Sequence, residues 1–80
     1  MAGEGMTAVD VAFRYGNIPG SIEMRALDSV REVYGIRRIV FNQKERTIRV
    51  EYDASRLQED VVARLLREAG IDLREKLALA

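Results

Sequence analysis

The chain has few side chains that could bind a metal, shuttle a proton near neutrality or attack a substrate. It contains no cysteine and no histidine, so thiolate nucleophiles, disulfides, thiol metal sites and imidazole catalysis are all excluded. Among the remaining soft donors, the thioethers of Met6 and Met24 could in principle meet a Cu(I) ion. The competing reading makes Met24 a packing or surface residue and Met6 a tail residue. Asn17 and Ser21 are neutral oxygen ligands at best, too weak to hold a transition metal alone. The carboxylates are scattered among arginines without a convergent cluster, the pattern of a solvated face rather than a hard-metal cage. No cofactor is expected. With no convergent acid–base pair either, the inventory points away from an enzyme.

What remains to do work is a short connection, GNIPGSI, at positions 16–22. A glycine-bearing connection before a helix can present backbone N–H groups to an anion. This one lacks the lysine and spacing of a phosphate-binding loop. Pro19 removes one donor and, with its fixed φ, stiffens the turn. Ile18 and Ile22 beside it either form a rigid apolar knob or, for Ile22, belong to the core. The candidate partner-docking loop is therefore Gly16, Asn17, Ile18, Pro19, Gly20, Ser21 and Ile22.

Two sequence periods define the elements that must carry this loop. Val9, Val11, Phe13 and Tyr15 alternate with Asp10, Ala12 and Arg14, as do Ile48, Val50 and Tyr52 with Thr47, Arg49 and Glu51. Strands are expected over Val9 to Tyr15, Ile36 to Phe41 and Thr47 to Tyr52, with Asn42 to Glu45 as a hairpin connection. Ile22, Ala26, Leu27, Val30 and Val33 follow a helical period, predicting a helix from Ser21 to Tyr34 that Gly35 ends. Val61, Val62, Leu65, Leu66 and Ala69 predict a second, from a Ser55–Gln58 capping box to a stop at Gly70. The segment after Ile71 has residues for either a short strand or a helical tail. The fold class implied is α+β: a ferredoxin-like βαββαβ sandwich with two helices on one face of an antiparallel four-stranded sheet. Val11, Phe13, Val30, Ile39, Val50 and Leu65 are expected in its core.

Eighty residues, 48% of them apolar, allow one small domain. It is expected over residues 8–80, behind a flexible segment at 1–7. Lys+Arg and Asp+Glu are 13 each, so the chain has no bulk attraction for nucleic acid or acidic membranes, although a local patch is compatible with that balance. The stretch MAGEGMTA lacks the charged start and apolar run of a signal peptide, and no apolar run approaches ~20 residues, so a cytoplasmic monomer without membrane contact is expected. The strand from Ile36 lies at a sheet edge, where Arg37 and Arg38 oppose edge-to-edge pairing.

The order of these pieces, with GNIPGSI after VDVAFRY, Tyr34-Gly35-Ile36, Val50-Glu51-Tyr52-Asp53 and Glu68-Ala69-Gly70, resembles the heavy-metal-associated domain family over roughly residues 8 to 72. That family includes copper chaperones and the soluble modules of metal-pumping ATPases. Its signature is Gly-Met-x-Cys-x-x-Cys. Gly16 fits the glycine, but Asn17 stands at the methionine and Pro19 and Ile22 at the two cysteines. In metal-handling relatives this loop also docks partner domains. The resemblance therefore implies a non-enzymatic protein-interaction or accessory module of a metal-handling system, its thiol site lost. The alternative is metal binding through methionine or partner-supplied ligands.

Two other classes use the same element order. RNA-recognition domains stack bases on aromatics of the open sheet face, whereas Phe13, Tyr15, Phe41 and Tyr52 are here in phase with the buried residues. Small hydrolases of the acylphosphatase type use a loop arginine and a strand asparagine, roles in which Arg14 and Asn42 could be cast. Arg14, however, precedes the loop within a strand.

Overall fold

The computed structural model describes residues 8–79. The expected flexible segment at 1–7, which includes Met6, lies outside the described residues. The element order is β1 (Ala8–Tyr15), α1 (Ser21–Arg31), β2 (Ile36–Asn42), β3 (Thr47–Asp53), α2 (Glu59–Glu68) and β4 (Leu73–Leu77). All strand pairs are antiparallel, in the order β2-β3-β1-β4. This is the ferredoxin-like βαββαβ sandwich expected from the sequence periods, and the segment after Ile71 supplies its fourth strand.

Register explains which residues are buried. Ile39, Val50 and Val11 stand in one cross-strand row, and Phe41, Ile48 and Phe13 in the next. Together with Tyr15 and Tyr52 they meet Leu27 and Val30 of α1 and Val62, Ala63 and Leu66 of α2. Leu27, Ile48, Val50, Val62 and Leu66 are sealed from solvent. Removing that much apolar surface from water is the main force holding the layers together. The opposite sheet face carries Asp10, Arg14, Arg38, Thr47, Arg49 and Glu51, with Arg49 Nη2 bound to Asp10 Oδ2 at 2.7 Å. Among the described residues no aromatic stands on that face, so base stacking has no platform there.

The helices are shorter than their apolar stripes predict. α1 stops at Arg31 rather than Tyr34, because tight turns follow: Val33 N–H donates to Val30 O, and Ile36 N–H to Val33 O. α2 begins at Glu59 rather than Ser55. The Ser55 N–H and hydroxyl both bind Asp53 Oδ1, at 2.9 and 2.7 Å, so this residue closes the turn after β3. Gln58, in extended backbone, takes the N-cap position. Gly35 and Gly70 have φ of 106° and 98°, the left-handed conformation expected after each helix. Leu65 is only half-buried, contrary to expectation. The inward stripe of α2 is Val62, Ala63 and Leu66, and Leu65 turns instead into a groove between the helices beside Ala26, Val33 and Ala69.

Both edge strands are irregular. On β2, Ile36 pairs with Tyr52 and Arg38 with Glu51, leaving Arg37 as an extra residue. On β4, Lys76 pairs with Phe13 but Leu73 with Tyr15, three residues against two. The strand directions create two poles. The β1–α1 connection, the β2–β3 hairpin and the approach to β4 share one; the start of β1 and the end of β4 lie toward the other. Among the described residues, no helix is long and apolar enough to cross a membrane.

Candidate functional site

Where β1 ends, its last residue is bound on two sides. Tyr15 N–H donates to Arg46 O in the hairpin, and Gly16 N–H to Asp72 O, each at 2.9 Å. Arg46 Nη1 returns a bond to Gly16 O at 2.8 Å. Asp72 Oδ2 then accepts both Asn17 N–H at 3.1 Å and Arg74 Nη2 at 3.0 Å. The Asn17 N–H holds the Asp72 carboxyl below its ordinary range, helped by Arg74 and opposed by desolvation. A Cβ at Gly16 would displace the Arg74 guanidinium and the Asp72 carboxylate, so glycine there preserves this arrangement of the two side chains.

The far end of the loop is closed by the helix it enters. Gly20 N–H donates to Glu23 Oε1 at 2.8 Å, and Gly20 O receives Met24 N–H at 2.9 Å. These bonds satisfy groups that a helix start leaves unpaired. Between the two fastenings, Asn17, Ile18, Gly20, Ser21 and Ile22 are exposed and Pro19 is half-buried.

Ile22 is not core: it is 77% exposed, and Ile18 59%. The reason is helical phase. α1 turns Leu27 and Val30 inward, and Ile22, five residues before Leu27, lies about 140° round the helix at ~100° per residue. The loop therefore presents two isoleucines to solvent at and beside the positions where the family resemblance places thiols. Met24 is 40% exposed on α1, and Met6 lies outside the described residues. Among those residues, no three of His, Cys, Asp or Glu gather as a metal cage.

Arg14 and Asn42 do stand on one sheet face, both in the row of Thr47. They are two strands apart, about 10 Å, and Asn42 Oδ1 is engaged by Glu45 N–H at 3.1 Å within the hairpin. Arg14 lines the depression beside Gly16, and Asn42 does not.

The residues that sequence reasoning missed are those that fasten the loop: Arg46, Asp72 and Arg74. They act across separations of 30 residues for Arg46 with Gly16 and 55 for Asp72 with Asn17. No local pattern announces such contacts; only the register of β4 against β1 would have shown them. At the other pole an exposed Tyr34 carries the Arg56 guanidinium 4.6 Å from its ring centroid, also without a sequence signal.

No protein family's model matches this chain, and no curated protein matches its sequence. Its structure is similar to the yeast copper transporter domain Ccc2a, solved in solution in apo and Cu(I)-loaded states. The TM-score is 0.67 at 17% sequence identity, over 89% of this chain and 97% of that one. At that identity the likeness is one of fold.

Proposed function

We propose that this chain is a non-enzymatic heavy-metal-associated-like domain whose first loop serves protein contact instead of carrying a metal. It acts as an interaction, accessory or regulatory module of a metal-handling system, as a single domain over residues 8–80 working in the cytoplasm. The exposure of Ile18 and Ile22 carries this reading. Burying each such side chain against a partner is worth about 1.5–3 kcal/mol. The loop is hydrogen-bonded at both ends, so little conformational freedom is lost on binding. The fold shared with a copper transporter domain supports the setting. The docking residues are Gly16, Asn17, Ile18, Pro19, Gly20, Ser21 and Ile22.

One experiment tests both the frame and its changed use. The wild-type chain should bind Cu(I) no better than a cysteine-free control of equal charge. Pro19→Cys with Ile22→Cys should create a two-thiolate site at the start of α1, where the helix dipole favours thiolate. Ile22 is exposed, but replacing half-buried Pro19 frees the unfolded backbone, so the double variant should stay folded at a cost of about 1 kcal/mol. In cells, a photo-cross-linker at Ile22 should trap one metal-handling protein, and Ile18→Asp should abolish the adduct. A folded double variant with no gain in Cu(I) affinity removes the family frame. A cross-link unaffected by Ile18→Asp removes the docking loop.

A further inference from the structure

Beside the docking loop, at the same pole, four cations from three parts of the chain line one open depression of about 640 Å³: Arg14 of β1, Lys44 and Arg46 of the hairpin and Arg74 of β4, with Glu45 and Glu75 as its acids. We propose that this depression is a binding site for a soluble diphosphate group, independent of the protein contact made by Ile18 and Ile22.

The backbone of Arg46 is the first argument. It stands at φ 56°, the only non-glycine residue with positive φ among those described. Glycine or asparagine would adopt that hairpin conformation more readily. The structure keeps an arginine there and uses it: its carbonyl receives Tyr15 N–H, and its Nη1 holds Gly16 O. One edge of the guanidinium is thereby fixed, leaving further N–H donors on the group. Strained backbone of this kind is a pointer to function where the side chain it places has a use.

Arg74 is fixed in a similar way. Its Nη2 is bound to Asp72 Oδ2, and it lies against Gly16, where the missing Cβ makes room. Two guanidinium groups are thus preorganised by bonds to the protein, and planar guanidinium is suited to bidentate contact with phosphate oxygens. Arg14 and Lys44, both exposed, supply the remaining cations, and neither side chain has a hydrogen bond or ion pair among the described residues. The chain as a whole is neutral, so no overall field accounts for this gathering. The depression, at about 640 Å³, is wider than one phosphate group, and its four cations outnumber its two acids, which is why the ligand is assigned two phosphate groups.

The test is a titration of the ¹⁵N-labelled full chain with inorganic pyrophosphate at constant ionic strength, with inorganic phosphate in a parallel arm. Saturable shifts at Gly16, Arg46 and Arg74, and tighter binding of pyrophosphate than of phosphate, are expected. Arg14→Gln with Lys44→Gln should weaken pyrophosphate at least tenfold. The control Arg25→Gln with Arg64→Gln, equal in charge change, should stay within twofold of wild type. Arg46→Gly should stay folded, with its left-handed backbone relieved, and lose affinity. Linear shifts spread over the surface, equal losses in the control, or tighter binding of a single-stranded oligonucleotide than of pyrophosphate would each overturn the site.

Discussion

Asp72 ties the first loop to the start of β4 through a carbonyl and one carboxylate oxygen, so its charge state should be readable at that loop. Its pKa lies below the ordinary 3.8, the Asn17 N–H being the main cause. The carboxylate part of the fastening is fully present above pH 3.8, weakens as pH falls through the lower folded pKa and is lost beneath it, while the Gly16 N–H bond to the Asp72 carbonyl does not titrate. Amide shifts of Asn17 should therefore move on acidification with a midpoint below 3.8, and Asp72→Asn should remove that titration. A midpoint at or above the ordinary value would contradict the bond network. This part of the site was hidden in the sequence, because Asp72 acquires its role only when β4 pairs with β1. The loop itself was legible: glycine, proline and a break in alternation mark positions 16–22. The exposure of Ile22 was not legible, since its spacing of four and eight from Ala26 and Val30 is that of the apolar stripe, and only the inward turn of Leu27 sets it aside.

At the scale of elements, Gly35 controls the passage from α1 into β2. It sits at φ 106° with a would-be Cβ 3.0 Å from Leu57 Cδ1 and Cγ. Gly35→Ala should cost about 2 kcal/mol, from backbone strain and this contact, and lower the melting temperature by roughly 10 °C. An unchanged melting curve would show that the turn accommodates a side chain without strain. Period-two alternation made β1 and β3 legible to within a residue, because each has one face buried and one in water. Helix ends were less legible: Ser55 and Gln58 have the spacing of a capping box, but Asp53 claims the serine. The sequence left β4 open between strand and helix for a physical reason. Its irregularity puts Leu73 opposite core-facing Tyr15 and Leu77 opposite Ala12 on the open face, so no simple alternation survives to be read.

For the whole molecule, the same irregularities bear on association. Each sheet edge is interrupted, by the extra Arg37 on β2 and by the register shift on β4, and interrupted, charged edges are poor templates for a second chain. Light scattering at micromolar concentration should give the mass of one chain, 9.1 kDa. A dimer would direct attention first to the β2 edge, where Val40 is 47% exposed. The two poles have a practical meaning as well. Ala8 opens β1, and the segment after Leu77 runs back alongside Asp10 and Val11. Anything attached at Ala8 or Leu79 is thus held toward the pole away from the loop, separated by up to the ~25 Å length of β1. A bead, chip or neighbouring domain attached at Ala8 or Leu79 would hold the molecule by its base and leave Gly16–Ile22 facing outward.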